Sequence, residues 1–199
     1  MKEYTIRRVN NEINWDDVPV LPLSCTPWPQ YATTITAQAQ VCCDDKALHI
    51  RMQAQESEIR AVCDGPLDMP CKDSCLEFFF CPVDTDMRYF NVEFNPKGCM
   101  YLGFGTSRYD SVRLHPPVGT IVPSPKYIDG GWEISYSIPY DFIRLFVPEF
   151  KAESGAKIRA NFYKCGDLTP SLHYITAFPI DIPKPDYHRP EFFQTISFE

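Results

Sequence analysis

Three groups of polar side chains sit where a binding surface needs them. Glu77, Asn91 and Glu93 alternate with apolar residues in two neighbouring runs of the chain, and Arg159 and Asn161 do the same in a third. Carboxylates accept hydrogen bonds, a guanidinium donates them and an amide does both, so the set can pair with an array of vicinal hydroxyl groups. Tyr187 adds a ring that can lie against the apolar face of a ligand. These six residues are the expected ligand-binding set. A second chemistry is open to the two glutamates alone. Paired carboxyl groups about 5 Å apart, or about 6.5 to 9.5 Å apart, are the machinery of retaining and inverting glycoside hydrolysis, and Glu77 and Glu93 on adjacent strands could reach either spacing. No further acid or base motif accompanies them. The bland alternative for Glu77 and Arg159 is a structural ion pair.

The elements that must carry these residues are strands. Leu76, Phe78 and Phe80 share one parity while Glu77 and Phe79 take the other, and Phe90, Val92 and Phe94 alternate with Asn91, Glu93 and Asn95. This period of two is that of a pleated strand. The same pattern predicts strands over Tyr4 to Val9, Thr33 to Cys42, Leu48 to Gln55, Glu58 to Val62, Cys99 to Gly105, Trp132 to Ile138, Lys157 to Cys165, Tyr174 to Ile180 and Thr195 to Phe198, with an edge strand near Thr120 to Val122. Asp44-Asp45 and Pro96-Lys97-Gly98 supply turns. Tyr140 to Phe146 is the one plausible helix. With 19 prolines breaking the chain into short elements and no internal repeat, the expectation is an all-β, two-sheet antiparallel β-sandwich, jelly-roll-like, with one short helix and a single domain over residues 1–199.

Composition narrows the partners. A net charge of −7 without a basic stripe argues against nucleic acid and anionic membrane. The amino terminus lacks a signal-peptide apolar core and no run of 18 apolar residues occurs, so the expectation is a cytoplasmic protein. Nine cysteines, an odd number scattered mostly through strand patterns, read as buried free thiols. Cys71 and Cys75 form half of a zinc spacing, but no second pair follows. Asp84 and Asp86 read as turn residues, without the spaced acids of a calcium loop. Trp15 and Trp28 read as lids over the core in preference to exposed aromatic platforms.

Five stretches in order carry a resemblance. Lys72 to Phe79, Tyr89 to Asn95 with Gly98, Trp132 to Pro139, Ala160 to Tyr163, and the closing Pro185 to Phe193 together resemble the family 9 carbohydrate-binding modules and their DOMON-like relatives, over nearly the whole chain. The resemblance implies a β-sandwich that binds mono- or oligosaccharides on one polar sheet face, in modules often attached to xylanases. It passes to Glu77 the role of a glutamate that accepts from sugar hydroxyls, to Asn91 or Glu93 that of a polar contact on the next strand, and to Tyr187 that of the aromatic platform before the closing proline. Relatives that clamp a sugar between two aromatic rings place a tryptophan where this chain has Met69, Pro70 and Cys71. Calcium is structural in some relatives, with no ligand set here that matches residue by residue. DOMON-like relatives also include haem modules, but His49, His115, His173 and His188 are dispersed along the chain, as are Met52, Met69, Met87 and Met100.

Overall fold

A computed structural model describes residues 4–10 and 12–199. In chain order the strands are β1 Thr5–Arg8, β2 Leu21–Leu23, β3 Thr36–Cys43, β4 Ala47–Gln55, β5 Cys75–Cys81, β6 Tyr89–Phe94, β7 Met100–Gly105, β8 Ser111–Arg113, β9 Ser124–Ile128 and β10 Gly131–Pro139. Helix α1, Tyr140–Phe146, is followed by β11 Lys157–Cys165, β12 Tyr174–Thr176 and β13 Gln194–Phe198. The helix starts as expected, where Pro139 ends β10 in extended conformation. Two expectations fail at the level of elements. Residues 58–62 and 120–122 form no strand, and β8 and β9 lie on either side of the second segment. Glu58 to Val62 alternates in type, but it is held by side chains instead of a ladder, Asp73 Oδ2 accepting from Val62 N and Ser74 Oγ from Arg60 N.

The strands join into one mixed sheet, in the order β8-β7-β6-β5-β11-β13-β1-β3-β4-β10-β9, with β12 beside β11 and β2 beside β3. This corrects the expectation of two purely antiparallel sheets. Strand β1 is hydrogen-bonded in parallel to both β13 and β3 and stitches two antiparallel halves together. Period-two patterning specifies which face is buried, and it is silent on which edges pair.

The sheet curls so that one apolar core collects residues from both halves. Leu76, Phe78, Phe80 and Phe94 meet Leu48, Ile50, Met52 and Ile134 in a single buried cluster. Phe94 of β6 and Tyr136 of β10, far apart in strand order, bring their rings to 4.7 Å. One end of the curl is closed by α1, whose Phe142 and Phe146 pack on Phe90 and Phe104. Toward the other end of β5, where Lys164 is the cross-strand partner of Leu76, the interior turns polar. There Lys164 Nζ lies 3.1 Å from Glu56 Oε1, with both side chains essentially inaccessible.

A second cluster covers the outside of the sheet. Phe79, Tyr89 and Tyr163, on the outer parity of β5, β6 and β11, are buried under Trp28, Ile180, Tyr187 and Phe193. Trp28 is a lid, 2% exposed and donating from Nε1 to Ile182 O, but over this outer cluster and not over the main core. The remaining open part of the outer face holds a pocket.

Candidate functional site

Register places a row of four side chains across four strands. Tyr163 is opposite Glu77, Glu77 opposite Glu93, and Glu93 opposite Tyr101. Glu77, Glu93 and Tyr101 line a pocket of about 370 Å³, within the range of small-ligand sites. Segments from four places raise its walls: Met69 and Cys71 before β5, Arg108 between β7 and β8 with Ser111 at the start of β8, Asp167 and Tyr174 around the β11–β12 connection, and Pro185 to His188 in the closing segment. Arg108 donates from Nε and Nη2 to Asp186 Oδ1 at 3.1 and 2.7 Å, tying two walls together. Arg113 holds a third, donating to Leu67 O and Asp68 O while its guanidinium lies 4.6 Å from the Tyr101 ring centre.

The structure distributes the six expected residues unevenly. Glu77, Glu93 and Tyr187 line the pocket. Asn91 stands one row behind, where it donates from Nδ2 to Glu93 Oε1 at 2.9 Å. It fits because its cross-strand neighbour is Gly103, where a Cβ would come 2.0 Å from Asn91 Oδ1. Arg159 and Asn161 share the outer parity but lie elsewhere. Arg159 donates to the carbonyls of Asp84, Asp86 and Pro190, and Asn161 pairs with the backbone of Phe162 and Phe178. The parity of these two is as expected, but their height along β11 is wrong for the pocket, and covering segments take their hydrogen bonds. Arg159 does not pair with Glu77. Asn95, from the same polar run, holds the β6–β7 turn by accepting from Lys97 N and Cys99 N.

Tyr187 is a buried wall and not an open platform. Its ring stacks on Tyr163 at 4.0 Å and 7°, and its hydroxyl donates to Lys164 O at 3.1 Å. Half-buried Tyr101 and Tyr174 offer the accessible aromatic surface, and Tyr174 donates to Asp167 Oδ1 at 3.0 Å. Tyr101 and Tyr174 lie in segments expected as strands but were not marked as site residues, and Arg108, Asp167 and Asp186 carried no periodic signal in sequence. Arg108 and Asp167 sit in loops, and only the closing stretch around Asp186 was marked, through the family resemblance.

The two glutamates have few partners and little water. Cys165 Sγ donates to Glu77 Oε1 at 3.0 Å, while Glu93 Oε2 is buried without a hydrogen bond. Burial raises the Glu77 carboxyl to about 7, and burial followed by the charge of Glu77 holds Glu93 well above the carboxylate range. Near neutrality the pair therefore retains a proton, and it presents both a donor and an acceptor to a ligand. His188 is pushed down to about 4 by burial and then by Arg108, so it is neutral, with Nδ1 2.7 Å from Tyr89 Oη.

A stability prediction follows from the raised carboxyls. An unfolded glutamate titrates near 4.5 and Glu77 in the folded protein near 7, so the folded state holds the proton more tightly. That contribution is complete below the unfolded value and is lost as pH rises through about 7. Urea unfolding in chelating buffer should show a loss on the order of 2 to 3 kcal/mol between about pH 5 and pH 8 from this source. Glu77→Gln should flatten that slope. An identical slope in the variant would show that burial does not raise the Glu77 carboxyl.

Fold and pocket define the class: a β domain that carries its site on the outer face of a curled mixed sheet. Residues 8–198 match the model of Carbohydrate-binding family 9, and the chain belongs to that family. Three solved structures share the fold. A candidate carbohydrate-binding protein from Bacteroides uniformis ATCC 8492 superposes with a TM-score of 0.86 at 23% identity, covering 98% of each chain. A family 9 module from Caldicellulosiruptor kristjanssonii solved with cellotriose gives 0.66 at 11% identity, over 99% of this chain and 94% of that one. The module from that organism solved with glucose gives 0.60 at 12%, over 99% and 93%. No curated protein matches the chain. Among the described residues no helix is long and apolar enough to cross a membrane.

Proposed function

We propose that the protein is a non-catalytic carbohydrate-binding module that takes a mono- or oligosaccharide, of the xylan or cellulose type, in the pocket floored by Glu77 and Glu93, in support of carbohydrate breakdown. The observation that carries this reading is the floor itself. Two adjacent buried carboxyls, Glu77 and Glu93, lie beneath a pocket walled by tyrosines and the Arg108–Asp186 pair, so donors, acceptors and apolar ring surface converge on one ligand-sized space. Family membership supports it, and the Caldicellulosiruptor modules were solved with cellotriose and with glucose. Ring stacking passes from Tyr187 to Tyr101 and Tyr174, because Tyr163 already covers one face of Tyr187.

The same geometry disfavours hydrolysis. Glu77 and Glu93 are direct cross-strand neighbours and rise side by side from the floor, whereas a glycosidase places its two carboxyls on either side of the scissile bond.

Calorimetric titration with glucose, xylose, cellotriose and xylotriose tests the reading. At least one sugar should bind with a Kd in about the micromolar to millimolar range. Glu77→Gln and Arg108→Met should each weaken that binding about tenfold, as expected for loss of one charge-assisted hydrogen bond. Full affinity in both variants would move the site elsewhere, and release of a chromogenic aglycone by the wild type would restore the hydrolase reading.

A further inference from the structure

Beside Glu77 on the pocket floor two thiols face each other. Cys75 and Cys165 are direct cross-strand partners, and Glu77 follows Cys75 by two residues, so it projects from the same face of β5. One ligand atom from each of the three lies within 4.8 Å of the other two, and all three side chains are buried. Cys71 lines the same pocket, and its carbonyl oxygen lies 3.9 Å from Cys165 Sγ.

The surroundings favour a cation. Four carboxyl groups line the pocket, from Glu77, Glu93, Asp167 and Asp186, against one guanidinium, and that guanidinium is engaged by Asp186. Glu93 Oε2 adds a buried, unpartnered oxygen in the same lining.

We propose that Cys75, Cys165 and Glu77 bind one thiophilic divalent cation of the Zn²⁺ class, with Cys71 or a pocket ligand completing a tetrahedron. Sulfur at about 2.3 Å and oxygen at about 2.0 to 2.2 Å from such a cation needs only a small contraction of the present cluster. Two thiolates select against calcium and magnesium, which take oxygen ligands. On binding, both thiols and the Glu77 carboxyl give up their protons to solvent and the cation takes their place, so uptake falls with falling pH. Glu77 also floors the saccharide pocket, whereas Cys75 and Cys165 have no part in that reading, so the serine variants test the metal site apart from sugar binding.

Cobalt titration of the chelator-stripped full chain in a phosphine reductant tests it. One equivalent of Co²⁺ should produce thiolate-to-metal charge-transfer absorption and tetrahedral d–d bands, both bleached by one equivalent of Zn²⁺. Cys75→Ser and Cys165→Ser should each weaken Zn²⁺ binding by roughly tenfold or more, while Cys25→Ser leaves it unchanged. Absence of the charge-transfer band at saturating cobalt, or full affinity in both serine variants, overturns the proposal. If a serine variant fails to fold, the wild type decides: Zn²⁺ should protect Cys75 and Cys165 from alkylation, as read by peptide mass spectrometry. Unchanged labelling of both would equally overturn it.

Discussion

Lys164→Met is expected to lower the free energy of unfolding by about 3 to 5 kcal/mol, the cost of leaving one partner of a buried ion pair uncompensated. Lys164 Nζ lies 3.1 Å from Glu56 Oε1 and donates to Cys165 O at 3.0 Å. It also donates to His173 Nε2 at 2.8 Å. Burial, and then the charge of Lys164, pushes His173 down to about 4, so its ring is neutral and its Nδ1–H donates to Ser171 O. Glu56 in turn accepts from Trp132 Nε1 at 2.6 Å and Ser74 Oγ at 3.0 Å. One ammonium and one carboxylate thus tie β11 to the far half of the curled sheet through Trp132 of β10. Removing the lysine leaves the buried Glu56 without its cation. Urea unfolding of Lys164→Met, Glu56→Gln and the double variant forms the cycle that measures this. The double variant should recover part of the loss, because the charge that remains in either single variant is gone. A loss below about 1 kcal/mol in Lys164→Met would mean that water reaches Glu56.

Asp73→Ala should cost about 3 kcal/mol or more, at 1 to 3 kcal/mol for each buried donor left unpaired. Asp73 is fully buried, and its Oδ2 accepts from Val62 N, Cys63 N and Asn95 Nδ2, each at 2.8 Å. Its Oδ1 makes only an ion-pair contact with Arg60 Nε at 3.1 Å, without hydrogen-bond alignment. The carboxylate therefore pins the segment that leads to Met69 and Cys71, one wall of the pocket, against the β6–β7 turn. Urea unfolding reads the stability. Limited proteolysis should show faster cleavage within residues 60–69. An unchanged cleavage pattern with full stability would remove Asp73 from this role.

Much of the fold was legible because side-chain alternation is a local signal. The runs around Glu77 and Glu93, the hairpin of β3 and β4, the helix from Tyr140 to Phe146 and the strand from Lys157 to Cys165 all appear where the pattern placed them. Patterning also marked Glu77, Asn91, Glu93, Arg159 and Asn161 as off the main core. It could not report that a second apolar cluster, with Trp28, Tyr187 and Phe193, would cover part of that outer face. Under that cover Arg159 and Asn161 bond to backbone groups and do not line the pocket. The cover also turned Tyr187 from platform to wall.

What the amino-acid sequence determined by itself was the class of structure and the polar stripe. Strand propensity, proline spacing and period-two alternation act over a few residues, and the five ordered stretches carried the family. Tertiary structure alone decided the parallel seam at β1, the height at which the stripe stays open, and the loops that bring Arg108, Asp167 and Asp186 to it. The same holds for Cys75 and Cys165, ninety residues apart, which become neighbours only through the register of β5 on β11. Strand pairing and loop closure are long-range choices, settled by which buried groups find partners, and no local window of residues contains them.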